Sequence, residues 1–223
     1  MSTQSIQNPP SRRSDGQPSR RRQIEDVASA LFCARGYAAT SVRDIAKVLD
    51  LQGGSLYAHV TSKEDVLWAI VDEAAGRFLA AAGPIAQSRG NTPGSPPGAA
   101  VERLRALVRA HVAVVTESPE RARVFLELWT ALSPERRQAV LDARDRYEAC
   151  FRQVVADGVA AGELTADPWL GAVFVLSALN GIPRWYQPDG PLGPGAIGER
   201  FADLAVAALA GPSAPNLAPG GRR

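Results

Sequence analysis

Polar side chains between positions 55 and 63 have the types and spacing of a DNA contact surface. Apolar residues separate Ser55, Tyr57 and His59, so a short helix that buries the apolar residues turns these three outward. Their hydroxyl, phenol and imidazole groups can reach base edges and phosphates. Lys63 follows where the next helix should begin, and an ammonium group beside exposed N-terminal amides favours a phosphate. The segment therefore predicts contact with double-stranded DNA.

A pair of short helices must position that surface. Ser41 followed by Asp44 is a capping-box pattern that predicts the start of the first helix of the pair. Residues 50–54 supply a turn, and Ala46 is small enough for two helices to cross closely. Thr40 and Ser41, at the N-terminus of that first helix, are also expected to face phosphates. These features predict a helix-turn-helix.

The charge distribution agrees with a polyanion-binding N-terminal part. Residues 1–63 carry nine Arg or Lys against five Asp or Glu, whereas residues 64–223 carry sixteen against eighteen. The first part is therefore basic and the second slightly acidic. Arg20, Arg21 and Arg22 precede the first long helical pattern, in a position to follow a groove or the phosphate backbone.

Composition restricts the class of protein. A chain of 223 residues with 45% hydrophobic content can form one small and one larger domain. Cys33 and Cys150 make no disulfide framework, which is typical of a reduced intracellular protein. We find no signal-peptide pattern, and the longest apolar run, residues 169–179, is shorter than the roughly 20 residues of a membrane span. The expectation is a cytoplasmic protein without cofactor, metal site or membrane contact.

Helical periodicity predicts an all-α fold. An apolar stripe begins at Ile24 and continues to Phe32, and Gly36 ends it. Ser62 with Asp65 predicts the cap of a longer helix that runs to about residue 82. Asp167 followed by Pro168 has the pattern of another helix start. Further helices are expected at about 99–116, 119–131, 134–161, 167–186 and 194–210.

Residues 20–68 resemble the TetR family of transcriptional regulators. The family's order and spacing are found at Phe32, Gly36, Tyr37, Thr40, Ser41, Asp44, Ile45, Ala46, Gly54, Ser55, Leu56, Tyr57, His59, Ser62, Lys63 and Glu64. The resemblance implies an all-helical homodimer with an N-terminal helix-turn-helix domain and a larger domain for ligand binding and dimerisation. Two departures are Asp50, where the turn often has glycine, and Val60, where an aromatic residue is usual.

The resemblance also implies roles by position. Tyr57 and His59 would contact phosphates and base edges, Lys63 would anchor a phosphate, and Gly54 would allow a close backbone approach. Thr40 and Arg43 would contribute contacts from the preceding helix. The complete DNA-binding prediction is Arg20, Arg21, Arg22, Thr40, Ser41, Arg43, Gly54, Ser55, Tyr57, His59 and Lys63.

The expected domain organisation follows. Residues 1–19 form a disordered arm, 20–66 the DNA-binding domain, 67–210 the ligand-binding and dimerisation domain, and 211–223 a disordered tail, with a Gly- and Pro-rich linker at 90–98.

Two C-terminal helices predict a dimer interface. The helix at 169–179 is apolar on every face and must be buried all round. With the last helix it can form a four-helix contact between two copies, although both helices could instead complete a monomeric core. The predicted interface residues are Phe174, Ala178, Ile197, Phe201, Leu204 and Ala208.

The body of the chain should also hold an effector. Its C-terminal half is similar to TetR-type repressors of fatty-acid and steroid catabolism, which sense acyl-CoA thioesters. A cationic group such as Arg184 would then bind phosphates, while packing of Trp185 at the dimer seam is an equal alternative. His111 and Cys150 are interpreted as core residues. The candidate ligand-binding residues are Phe78, Val108, Val112, Phe125, Trp129, Tyr147, Phe151, Phe174, Asn180, Arg184 and Trp185.

The leading hypothesis is a homodimeric repressor that a small hydrophobic effector, first an acyl-CoA thioester, releases from an inverted-repeat operator. Alternatives are a regulator of efflux or metabolism that senses a non-CoA ligand, and a DNA-binding protein without an effector; activation instead of repression stays open. An enzyme is not expected, because His59 and His111 are the only histidines and no nucleotide-binding glycine loop follows a strand.

Overall fold

The computed structural model describes residues 19–51, 60–88 and 96–211, and throughout these ranges the regular structure is helical. The α-helices are α1 (Arg20–Arg35), α2 (Val42–Val48), α3 (Lys63–Gln87), α4 (Ala99–Glu117), α5 (Pro119–Arg123), α6 (Pro134–Ala160), α7 (Pro168–Asn180), α8 (Ile182–Trp185) and α9 (Pro194–Ala210). A π-helical turn (Val124–Leu128) and a 3-10 turn (Trp129–Ala131) join α5 to α6. The expected all-α fold is confirmed.

Helix ends follow the capping residues of the sequence. At the start of α2 the Ser41 side chain accepts from the Asp44 amide, and the Asp44 carboxylate accepts from the Ser41 amide over 2.7 Å. Ser62 and Asp167 cap α3 and α7 in the same sense. Ser19, which the sequence analysis assigned to a disordered arm, caps α1 by accepting from the Arg22 amide.

The turn after α2 explains one departure from the family pattern. Asp50 has φ of 51°, the one non-glycine positive φ among the described residues. Aspartate tolerates this left-handed conformation better than most residues, and glycine adopts it without a steric cost. The backbone geometry therefore accounts for the preference for glycine at this position.

Two regions of one continuous core hold the helices together. In the N-terminal part, α1 packs on both α2 and α3, and Ile24, Phe32, Ile45 and Val66 are buried there. In the larger part, α9 packs along α4, and α3 packs along α6. We call α1, α2 and the start of α3 the head, and the larger part from the rest of α3 to α9 the body. Because α3 belongs to both, it connects the head to the body.

The expected helix bounds were wrong in three places. The helix predicted at 119–131 is divided into α5, a π turn and a 3-10 turn, because a π turn holds an extra residue that a 3.6-residue period does not detect. The helix predicted from 167 to about 186 ends at Asn180, and α8 begins after Gly181. Helix α3 continues to Gln87 through Pro84, near its end.

Other expectations concern segments outside the described residues. The disordered arm (apart from Ser19), most of the linker at 90–98 and the tail from 212 lie outside the described residues. No helix within the described ranges is long and apolar enough to cross a membrane.

Candidate functional site

A cavity of about 230 Å³ lies in the body, between α3, α4, the π turn, α6 and α7. Its lining combines an aromatic floor, aliphatic side chains and a small set of polar groups. The lining residues are Phe78, His111, Phe125, Leu126, Leu141, Arg144, Asp145, Tyr147, Glu148, Val173, Leu176, Ser177 and Asn180. Such a composition is typical of a site for an apolar ligand with a few polar attachment points.

Phe78 is the centre of the aromatic floor. Its ring centroid lies 5.3 Å from that of Phe125, 5.2 Å from that of Tyr147 and 5.0 Å from that of His111. These distances are those of favourable aromatic pairs. Phe78 belongs to α3 and is 2% exposed, so the helix that leads to the DNA-binding head forms part of the cavity.

His111 and Tyr147 form a buried polar pair. Nδ1 of His111 lies 3.0 Å from the Tyr147 hydroxyl oxygen, while Nε2 makes no hydrogen bond of regular geometry with the described residues. Burial lowers the pKa of His111 to about 3, and the nearby Leu179 carbonyl offsets this only in part. Burial raises the pKa of Tyr147. Both side chains are therefore neutral near pH 7 and offer hydrogen bonds without charge.

Arg144 brings a positive charge to the cavity wall. Its guanidinium carbon lies 5.7 Å from the ring centroid of Phe125 and 5.6 Å from that of Trp129. Its Nη1 is buried and has no hydrogen-bond partner among the described residues. Burial lowers the pKa of Arg144, yet a guanidinium keeps its proton in proteins.

The structure brings part of the predicted ligand set together. Phe78, Phe125, Tyr147 and Asn180 line the cavity as expected. The other aromatic and aliphatic candidates do not line it: Val108, Val112 and Phe151 are core residues, and half-buried Trp129 stacks on Arg144.

Arg184 and Trp185 are placed outside the cavity, contrary to the prediction. Because α7 ends at Asn180, both residues belong to α8 at the surface. Arg184 pairs with Glu127 over 2.8 Å and has a side chain that is 68% exposed. Trp185 stacks on Phe201 with ring centroids 6.2 Å apart. The prediction placed both residues on a helix that is kinked at Pro183 and extends to about residue 186, which would have kept them near Asn180.

Sequence reasoning missed Arg144 and assigned His111 to the core. A signal for Arg144 was present: Val140, Arg144, Tyr147 and Phe151 follow helical spacing, and the other three members of that stripe are apolar or aromatic. An arginine on an otherwise inward stripe is a candidate for a functional site. The contribution of Val173, Leu176 and Ser177 depends on how α7 is oriented, which periodicity does not give.

Helices α7 and α9 together present an exposed apolar surface. Phe174 is 56% exposed and Leu204 is 66% exposed. With Ala178, Phe201 and Ala208, among others, they line a groove of about 250 Å³. Phe174 was predicted for both the cavity and the interface, and the structure places it in this groove alone.

Ile197 was predicted at the dimer interface, but the structure places it in the core. It is 1% exposed, because Ile197 and Gly198 lie on the inward face of α9.

In the DNA-binding head, Ser41, Arg43 and Lys63 line one open depression together with residues 38–40 and Val42. Arg43 is exposed. The Lys63 ammonium donates to the Tyr37 carbonyl over 2.9 Å and lies 4.3 Å from the centroid of its ring. Gly54, Ser55, Tyr57 and His59 lie outside the described residues.

Thr40 and Arg22 differ from their predicted roles. Thr40 is 2% exposed and donates its hydroxyl to the Gly36 carbonyl over 2.9 Å, so its side chain supports the chain between α1 and α2. Arg22 forms a 2.5 Å ion pair with Glu73 of α3. Arg20 donates to Gln23, and Arg21 pairs with Glu25, both within α1.

Arg121 connects the body to the head. This α5 residue is 5% exposed, and its guanidinium pairs with Asp26 over 2.7 Å, with Glu25 over 3.2 Å and with Glu73. Burial by itself would lower the pKa of Arg121, but the carboxylates outweigh it and raise the pKa. We call these four residues together with Arg22 the α1–α3–α5 clasp.

The clasp and the cavity are neighbours along the chain. The π turn follows α5 directly, so Phe125 of the cavity floor comes four positions after Arg121. A π turn inserted beside a cavity is a frequent mark of a functional position. A displacement of Phe125 would reach the head through α5.

Comparison with known proteins gives two family matches. Residues 24–70 match the model for bacterial regulatory proteins of the tetR family, and residues 97–209 match a tetracyclin repressor-like C-terminal domain.

Three relatives show what the chain is similar to. The HTH-type transcriptional repressor KstR2 of Mycobacterium tuberculosis H37Rv is 28% identical over 86% of this chain and 93% of its own. The crystal structure of PfmR from Thermus thermophilus, a TetR-family transcriptional regulator, is 33% identical over 82% of this chain and 96% of its own, with a TM-score of 0.72. AibR in complex with isovaleryl coenzyme A and operator DNA is 29% identical over 86% of this chain and 98% of its own, with a TM-score of 0.70.

Proposed function

The chain belongs to the TetR family of bacterial transcriptional regulators, and we propose that it is a homodimeric repressor released from its operator by an effector bound in the body cavity. The observation that carries this proposal is the continuity from Phe125 in the cavity floor, through α5, to Arg121 in the α1–α3–α5 clasp. In this proposal, α5 carries the effect of the ligand from the cavity to the head.

The groove between α7 and α9 supports the homodimer. Both helices leave large apolar side chains in solvent, and Phe174 and Leu204 are more than half exposed in the single chain. The groove is lined almost entirely by carbon atoms, including those of the small residues Ala178 and Ala208. An exposed apolar strip of this kind on two adjacent helices is what a self-complementary interface requires.

Release would follow from a difference in affinity. An effector that fits the cavity better when the π turn and α5 are displaced favours the conformation in which the clasp holds α1 in another position. In a dimer, that shift alters the distance between two heads that must match two half-sites. The effector therefore lowers operator affinity in proportion to its preference for the displaced conformation.

For the effector we propose an acyl-CoA thioester as the first class to test. The AibR relative is described in complex with isovaleryl coenzyme A and operator DNA, and KstR2 is described as a ketosteroid transcriptional regulator. A cavity of about 230 Å³ can hold an acyl group of modest size, with the nucleotide part of coenzyme A outside it. Its aromatic floor favours an apolar group.

The dimeric repressor can be tested with Leu204→Glu. A carboxylate in the apolar groove should prevent pairing of two copies, because an unpaired charge is costly to bury. Size-exclusion chromatography with light scattering should give a dimer for the unmodified protein and a monomer for the variant. Fluorescence anisotropy on the DNA upstream of its own coding sequence should show at least roughly tenfold weaker binding by the monomer.

Arg146→Glu is the matched control, since Arg146 is exposed on α6 and away from the groove. It introduces the same side chain and should leave the protein dimeric and bound to DNA. A Leu204→Glu protein that stays dimeric and binds that DNA as tightly as the unmodified protein would contradict the proposed interface.

A further inference from the structure

Arg144 is a charged group without a counter-ion at the wall of the cavity. Its Nη1 is sealed from solvent and makes no hydrogen bond to any described residue. Removing a guanidinium from water without a partner is unfavourable. Native structures rarely leave such a donor unsatisfied unless it serves a ligand or a reaction.

Three other buried or half-buried arginines of the body have acidic partners. Arg103 pairs with Asp157 over 2.7 Å, and Arg121 is surrounded by three carboxylates. Arg136 pairs with Asp65 over 2.6 Å. Each of these three arginines thus has an acidic partner, and Arg144 has none within the described part of the chain.

The acidic residues near Arg144 do not neutralise it. Asp145 and Glu148 lie on the same helix and line the cavity, but Glu148 pairs with Arg152 over 3.6 Å and Asp145 is exposed. The contacts of Arg144 are instead the faces of Phe125 and Trp129. Stacking on two rings fixes the guanidinium plane while its N–H groups stay available.

Neutral hydrogen-bonding groups lie elsewhere in the cavity. The His111–Tyr147 pair, Ser177 and Asn180 can bind an uncharged oxygen of a ligand but provide no charge. The cavity therefore has one cationic position at Arg144, two carboxylates at Asp145 and Glu148, and several neutral polar positions in an otherwise apolar lining.

We propose that Arg144 is the ionic anchor of the effector, so that the effector is an apolar molecule with an anionic group. This inference deepens the proposed function, because it names the chemistry that the same cavity selects. A carboxylate or a phosphate can form paired hydrogen bonds with a guanidinium. The anion can therefore belong to a free carboxylic acid or to the phosphates of a coenzyme A thioester.

The test measures binding of matched probes by isothermal titration calorimetry to the full dimeric protein. The probes are octanoate, octanoyl-CoA and methyl octanoate, with lithocholate, lithocholyl-CoA and methyl lithocholate as a polycyclic series. We expect at least one anionic probe to bind, and Arg144→Met to weaken it at least about tenfold. The methyl esters should bind weakly and equally to both proteins.

Arg144→Lys keeps the charge and should retain part of the anion affinity, whereas Arg146→Met, an exposed arginine two positions along α6, should change nothing. Because Arg144 has no described ion pair to lose, thermal melting should show both Arg144 variants folded.

Each result decides the inference. Equal anion affinity in Arg144→Met and the unmodified protein, methyl esters that bind as tightly as the anions, or no binding of any anionic probe would overturn it. Binding of the free acids without the thioesters would uphold Arg144 as the anchor and refute the acyl-CoA proposal alone. Binding of the thioesters that depends on Arg144 would uphold both.

Discussion

His111 shows how one buried residue can make the stability of this protein depend on pH. In the folded chain its pKa lies at about 3, against an ordinary value of 6.5. Between these values the unfolded chain binds a proton that the folded chain does not. Acidification from pH 6.5 toward pH 3 therefore favours unfolding, and the stabilisation is fully present above pH 6.5.

His111→Asn should remove that dependence. The free energy of unfolding of the unmodified protein should fall by at most about 1.4 kcal/mol per pH unit from this histidine, or roughly 2 kcal/mol between pH 6.5 and 5. Asparagine does not titrate and can still hydrogen-bond Tyr147. Urea unfolding at pH 7 and pH 5 measures the difference, and His59, which both proteins keep, cancels. If the free energy of unfolding falls by the same amount from pH 7 to pH 5 in both proteins, His111 is not held neutral.

Helix α5 is short, but it links the clasp to the cavity. It consists of five residues, yet it carries Arg121 of the clasp and leads into the π turn that holds Phe125. Side chains of Glu25 and Arg121 in the clasp are less than 10% exposed. A clasp that joins three helices around this buried pair can transmit a displacement that a surface ion pair would absorb.

Arg121→Met should separate effector binding from DNA binding. Buried Glu25 would keep only the exposed Arg21 as a partner, so the free energy of unfolding should fall by about 3 kcal/mol. The effector should still bind the cavity, but its effect on operator affinity should approach onefold. Calorimetry and anisotropy together measure the two quantities.

Arg77→Met is the matched control for the clasp. Arg77 of α3 pairs with Glu117 of α4 at the surface, where Glu117 is 62% exposed, so stability should change by less than about 1 kcal/mol and regulation should stay intact. An Arg121→Met protein that is destabilised but regulated normally would show that the clasp only stabilises the fold.

The elements were predictable where local chemistry fixes them. Ser41, Ser62 and Asp167 cap helices as their neighbours in sequence indicate, and Phe78, Phe125 and Tyr147 were expected at the ligand site from their place on helices of the body. The π turn was not predicted, because it depends on packing between distant helices. Where a kink was expected at Pro183, the structure has a complete break at Gly181. The same break moved Arg184 from the predicted site to the surface.

At the scale of the whole molecule, the head, the cavity and the exposed apolar surface are built on helices that share one continuous core. The sequence indicated that residues 169–179 are apolar on every face, and in the single chain Phe174 and its neighbours Trp169 and Leu170 stay more than half exposed. A chain that leaves these side chains in water would gain stability by pairing with a second copy, as proposed. Cavity, clasp and pairing surface would then act as one regulatory unit.

The most direct test of effector release is fluorescence anisotropy of the full-length protein on its upstream DNA at about 150 mM salt, titrated with octanoyl-CoA and lithocholyl-CoA. We expect one of the two thioesters to weaken DNA binding by roughly 5- to 150-fold, the range of ordinary allosteric coupling. The Arg144→Met protein should stay bound to the DNA. Specific binding that neither thioester nor the corresponding free acids alter at saturating concentration would contradict release by an anionic apolar effector.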